Sequence, residues 1–151
     1  MMETGITPRM AALLRKAGAD EILDADAVAR NLQPDTGACL LAIFLERRLP
    51  VAWRNSEHVF EPGWYIYAGS ARGPGGMAAR LRRHFRREKK IHWHVDHLTT
   101  SGQVVAACAF PGRGECELAQ HLARSLSVTS GPKGFGSSDC RRCRSHLVCA
   151  T

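Results

Sequence analysis

No stretch of this sequence approaches the roughly 20 consecutive apolar residues that a bilayer-spanning helix needs. The N-terminus lacks the basic-then-apolar layout of a secretory leader. Internal repeats and low-complexity tracts are missing as well, so nothing points to a stacked-repeat architecture. Together these absences lead to the expectation of a cytoplasmic protein with no membrane partner. In that reducing compartment, the six cysteines are expected to be reduced, structural or metal-bound rather than a disulfide framework. What remains is an ordinary globular composition, 44% hydrophobic and 23% charged over 151 residues, enough chain for one domain with a real core.

Acidic residues are scarce in the C-terminal part. Residues 1–36 hold four Lys/Arg against six Asp/Glu, whereas residues 37–151 hold seventeen against eight. Eight of those cations fall between Arg72 and Lys90 (Arg72, Arg80, Arg82, Arg83, Arg86, Arg87, Lys89 and Lys90), opposed only by Glu88. Such a strip attracts a polyanion and makes binding salt-dependent, or else forms a solvated helix face.

Residues 1–36 read as an N-terminal helical extension. Thr7 is suited to cap a helix with Pro8 in its first position and Met10, Leu13 and Leu14 as its apolar stripe, ended by Gly18. A second, acidic helix is expected from Asp20 or Asp24 to Leu32, closed by a turn at Pro34-Asp35-Thr36-Gly37. From Ala38 onward, strands are expected at Cys39 to Glu46, around Val51 to Trp53, at Trp64 to Gly69, at Val104 to Phe110 and at Leu147-Val148. Helical spacing begins near Gly76, with Met77, Leu81 and Phe85 as its core stripe, and again over Glu115 to Leu126. In between, Trp93, Val95 and Leu98 are expected core contacts among His92, His94, Asp96 and His97. This order predicts the α/β class: an α+β sandwich with a small, mostly antiparallel sheet flanked by helices, occupying residues 37–151.

The segment WYIYAGSARGPGGMAARLRRH, Trp64 to His84, is the most distinctive in the chain. An aromatic strand passes through a Gly-rich turn into a basic helix. It resembles the second half of the GIY-YIG nuclease core, in which a Y-x-G-x-S turn precedes a helix carrying Arg and, four residues on, His; the matching residues are Tyr67, Gly69, Ser70, Arg80 and His84. YIYAGSA, HWHVDHL, ECELAQ and GFGSSDC with the later SHL further resemble the Uri-type branch of that superfamily.

The resemblance implies a three-stranded sheet flanked by helices and a metal-dependent endonuclease that hydrolyses phosphodiester bonds in DNA, with magnesium or manganese as cofactor. Arg80 would offset charge on the phosphate. Glu117 would hold the ion, with Glu115 as the alternative if the helix phase differs. Tyr67 would lie near the attacking water or the scissile phosphate, and His84 would shuttle a proton or touch the phosphate. One departure stands against catalysis. The opening strand should present a tyrosine, but Cys39 occupies that place, and a buried thiol is a poor base. Either Tyr65 substitutes from the neighbouring strand, or the scaffold is a nucleic-acid-binding module that cuts weakly or not at all.

Zinc is a further possibility. Cys140-x-x-Cys143-x-x-His146 has ligand types and spacing compatible with three points of a tetrahedral site, to be completed by Cys149, Cys116 or one of His92, His94 and His97. A second paired knuckle is missing, so thiols packed as small hydrophobes are the favoured expectation.

Overall fold

The computed structural model describes residues 5–31, 35–53, 56–125, 127–137 and 142–150. Leu32, Pro34, Leu126, Asp139 and Cys140 lie outside them. Helix α1 is Pro8–Lys16 and forms where the local signals place it. The Thr7 hydroxyl accepts from the Met10 N–H at 3.2 Å, Pro8 sits in the first turn, and Gly18 leaves the helix at φ 108°. Helix α2, Ala25–Asn31, starts where Asp24 Oδ1 accepts from the Ala27 N–H at 2.8 Å.

Strand β1, Gly37–Leu45, is apolar on both faces because both are covered. It pairs antiparallel with β4, Gly63–Ala71, on one side and with β5, Gln103–Pro111, on the other. Strand β7, Leu147–Ala150, adds to β4, and β6, Val128–Ser130, adds to β7, so the sheet runs β5-β1-β4-β7-β6. It is therefore five-stranded rather than three-stranded, because the tail returns to extend it beyond β4. The weak strand expected at Val51 to Trp53 is β2, Leu49–Trp53. It forms a separate hairpin with β3, Ser56–Phe60, in a stretch whose polar text hides the strand.

Alternation along β1 divides the core. Ala38, Leu40 and Ala42 face α1 and α5, Glu115–Ala123, through Leu14, Leu118 and Leu122. Cys39, Leu41, Ile43 and Leu45 face α3, Gly76–Phe85, and α4, Asp96–Ser101, through Leu81, Val95 and Leu98. The result is an α+β sandwich with helices on both faces of an antiparallel sheet. Residues 5–31 belong to it closely: Leu23 bridges Ala107, and Met10, Leu14 and Val28 are buried in the core. Helix α5 ends at Ala123, short of the expected Leu126. Among the described residues, no helix is long and apolar enough to cross a membrane.

Candidate active site

A cleft of about 490 Å³ opens at the end of β4, between α3, the start of α5 and the loop before β7. The strand delivers Tyr67, Gly69 and Ser70, and the helix that follows delivers Arg80 and His84. These are the positions that the sequence pattern singled out, and the structure brings them together. Trp93, Glu115, Cys116, Gly136, Ser137, Arg142 and His146 complete the wall.

The Tyr67 ring is held between two glycines. A Cβ on Gly69 would fall 2.7 Å from one edge of the ring and a Cβ on Gly136 2.7 Å from the other, and Gly136 sits at φ +69°. The strand at Gly69 and the turn at Gly136 approach the ring this closely only because they carry no side chain there. Burial pushes the phenol well above its ordinary pKa, and the nearby Cys39 adds to this while Arg80 opposes it. Tyr67 is consequently a neutral hydroxyl, suited to donate rather than to abstract a proton.

Arg80 Nη1 donates to the Ser70 carbonyl at 2.8 Å, and its guanidinium lies 4.2 Å from the centre of the Trp93 ring. Arg83 stacks on the same ring at 4.3 Å, while its two terminal nitrogens each donate to a different oxygen of Asp96 at 2.8 Å. Asp96 also accepts from the His92 and Trp93 backbone N–H groups. Burial would raise this carboxyl, but the Arg83 pair and the two N–H donors outweigh it and hold it at about 2. The fixed Asp96 thus anchors Trp93, and Trp93 carries Arg80.

His84 is 1% exposed, and among the described residues its Nδ1 has no hydrogen-bond partner. Burial, reinforced by the charges of Lys89, Arg80 and Arg83 and opposed by Asp96, pushes it down to about 3. The ring is neutral at physiological pH. A buried polar atom with no partner is costly, and such atoms concentrate where a ligand or water supplies the missing bond.

Two expected site residues lie elsewhere. Glu117 is exposed and accepts at 2.6 Å from Arg113, four residues earlier and just before the helix, which lowers its pKa. Helix α5 buries Leu118, Ala119 and Leu122, so its phase turns Glu115 to the cleft and leaves Glu117 about 200° around the axis. Tyr65 shares a face with Tyr67 but lies about 7 Å along the strand. Its hydroxyl donates to the Glu61 carbonyl at 2.6 Å, its ring packs edge-on against Phe60, and burial raises it to about 12. It cannot stand in at the cleft. Cys39 is fully buried beneath Gly69, its thiol pushed up to about 12 by desolvation.

The basic strip is only partly available to a ligand. Arg83 is tied to Asp96, and Lys89 Nζ donates to the Arg83 and His84 carbonyls at 3.0 and 3.1 Å, closing the end of α3. Burial lowers Lys89 to about 8. Arg82 leans on the Ala29 carbonyl at 3.4 Å yet stays exposed, as do Arg72, Arg86, Arg87 and Lys90.

Two features of the wall were not expected, and a third, the meeting of Cys116 with Cys143 and His146, is one of the completions named for zinc. Trp93 serves as a platform for two arginines, for which its place among polar residues beside a basic helix was the available signal. Arg142 gave no signal beyond its charge. Cys116 Sγ lies 3.5 Å from His146 Nε2, and both group with Cys143. Desolvation lowers His146, so it too is neutral. Of the other histidines, His94 Nδ1 accepts from the Gly136 N–H at 3.0 Å.

No curated protein and no solved structure matches this chain. Residues 39–151, which include every residue of the cleft, match the family described as domain of unknown function DUF123, and the chain belongs to that family.

Proposed function

We propose that this protein is a metal-dependent endonuclease of the GIY-YIG type, close to the Uri branch, that hydrolyses phosphodiester bonds in DNA. The observation that carries the reading is the convergence of Tyr67, Arg80, His84 and Glu115 on one cleft, with the buried His84 Nδ1 lacking a partner among the described residues. Glu115 replaces Glu117 as the proposed metal ligand. A single carboxylate in an open, solvated cleft fits magnesium or manganese, which retain waters and share phosphate oxygens. Bound there, the ion would supply positive charge for the phosphorane oxygens and acidify a water.

The protein's own groups have distinct tasks. Arg80, seated on Trp93 and braced by the Ser70 carbonyl, is presented to a phosphate oxygen with little freedom to lose. His84 meets the substrate or its water as a neutral ring through Nδ1. Tyr67 orients the same water or the phosphate through its hydroxyl. The exposed cations Arg72, Arg86, Arg87 and Lys90 hold the flanking backbone.

A second reading has its own observation in Cys39, a buried protonated thiol where the superfamily places a tyrosine. On that reading the scaffold binds nucleic acid without cutting it. Nicking of duplex, branched and single-stranded DNA with magnesium or manganese separates the two. The nuclease reading expects slow cleavage abolished by EDTA, with Arg80→Ala and Glu115→Ala each slowing it at least about a hundredfold and Glu117→Ala nearly without effect. Binding without cleavage, in both the wild type and Cys39→Tyr, would leave the binding module.

A further inference from the structure

Four of the described cysteines fall into two kinds. Cys39 and Cys108 are wholly buried within the sheet, as small apolar side chains would be. Cys116 and Cys143 are only partly buried, and they meet a histidine. Cys116 comes from the first turn of α5, while Cys143 and His146 come from the segment leading into β7. The two sulfurs and a ring nitrogen of His146 all lie within 4.8 Å of one another. A tetrahedral zinc ion with sulfur at about 2.3 Å and nitrogen at about 2.0 Å sets its ligand atoms roughly 3.5–4 Å apart. The Cys116 Sγ to His146 Nε2 distance, 3.5 Å, already matches.

We propose that Cys116, Cys143 and His146 hold one soft divalent cation, zinc by chemical preference, in the wall of the cleft. Two thiolates and an imidazole select such an ion over magnesium or calcium, which favour oxygen. The surroundings suit it. Gln120 Nε2 donates to Cys143 Sγ at 3.9 Å, the kind of contact that orients a ligand. Cys116 and His146 line the cleft, so the ion would sit in its wall. On binding, these two thiols release two protons to solvent and the imidazole binds as the neutral base.

Such an ion ties the tail to the start of α5. Tail residues 144–146 in turn hold the Gly136 turn, through Gly134 N–H to the Arg144 carbonyl at 2.7 Å and His146 N–H to the Phe135 carbonyl at 2.9 Å. Since Gly136 abuts Tyr67, the cation stabilises one flank of the cleft whether or not the cleft cuts DNA.

The test uses the reduced full-length chain with zinc alone, then cobalt alone as a spectroscopic substitute. One zinc per chain, a rise in Tm on zinc addition, and a cobalt spectrum with thiolate charge-transfer bands and strong tetrahedral visible bands are the expected results. Cys116→Ser and Cys143→Ser should each weaken zinc binding at least about a hundredfold, whereas Cys149→Ser should retain it. A wild-type chain that takes up no zinc, or a cobalt complex without thiolate bands, would overturn the site, and these two readouts do not depend on the variants folding. Stoichiometric zinc that persists in a folded Cys143→Ser chain would overturn the assignment of ligands.

Discussion

Burial of His84 makes stability depend on pH in a window set by that residue. The imidazole ordinarily titrates near 6.5 but is held at about 3 in the folded chain, chiefly by desolvation. Between these values the unfolded chain binds a proton that the folded chain refuses. The contribution is therefore complete above about pH 6.5 and is lost as pH falls towards 3. Its full size is about 5 kcal/mol, of which about 2 kcal/mol is lost between pH 7 and pH 5. In a chain of this length, that loss lowers Tm by about 4–8 °C. Asp96, held at about 2, acts in the same direction but only in more acid solution. Denaturant titrations at pH 7, 6 and 5 on the wild type and on His84→Gln measure the effect, since glutamine keeps polar atoms without taking up a proton. The variant should be flatter by about 2 kcal/mol across that range, whatever its absolute stability, with a residual slope from His146. Equal slopes in the two proteins would refute the argument that His84 is buried and neutral.

Duplex affinity should fall with salt with a log–log slope of at least about −3, flattening when Arg72, Arg86, Arg87 and Lys90 are replaced by Ser; an unchanged slope by fluorescence anisotropy would reduce the strip to a solvated face. Gly136→Ala should lose at least about 1–2 kcal/mol in denaturant titration, because it adds left-handed strain and drives a Cβ into the Tyr67 ring. Asp96→Ala should cost about 3 kcal/mol by leaving Arg83 and two backbone N–H groups without their acceptor, and a loss under 1 kcal/mol would show that Trp93 is seated by other contacts.

Features written locally were legible in the sequence. The Thr7 cap, the apolar run of β1, and the strand, turn and helix carrying Tyr67, Arg80 and His84 each depend on neighbours within a few residues. The choice between Glu115 and Glu117 was not legible, because Leu118, Ala119 and Leu122 set the phase of a nine-residue helix only when they meet the sheet. Strand β3 escaped notice because Phe60 alone is buried among its described side chains, leaving no alternation to read. The meeting of Cys116 with Cys143 was offered only as one of several completions, since it depends on where the segment before β7 meets α5. Tyr65 misled for a related reason: period-two alternation gives a face but not the distance along it.

Confinement of Tyr67 between Gly69 and Gly136 bears on how a ligand would be received. The ring cannot swing aside, so the entropy of fixing it is surrendered during folding and not at the moment of binding. A phosphate or water that meets the hydroxyl gains the contact without a further ordering cost. Adaptation to different substrates then falls to the rim, where Arg142 is exposed, while the floor behaves as a rigid template. Shape at the floor and charge at the rim can thus be altered separately by substitution.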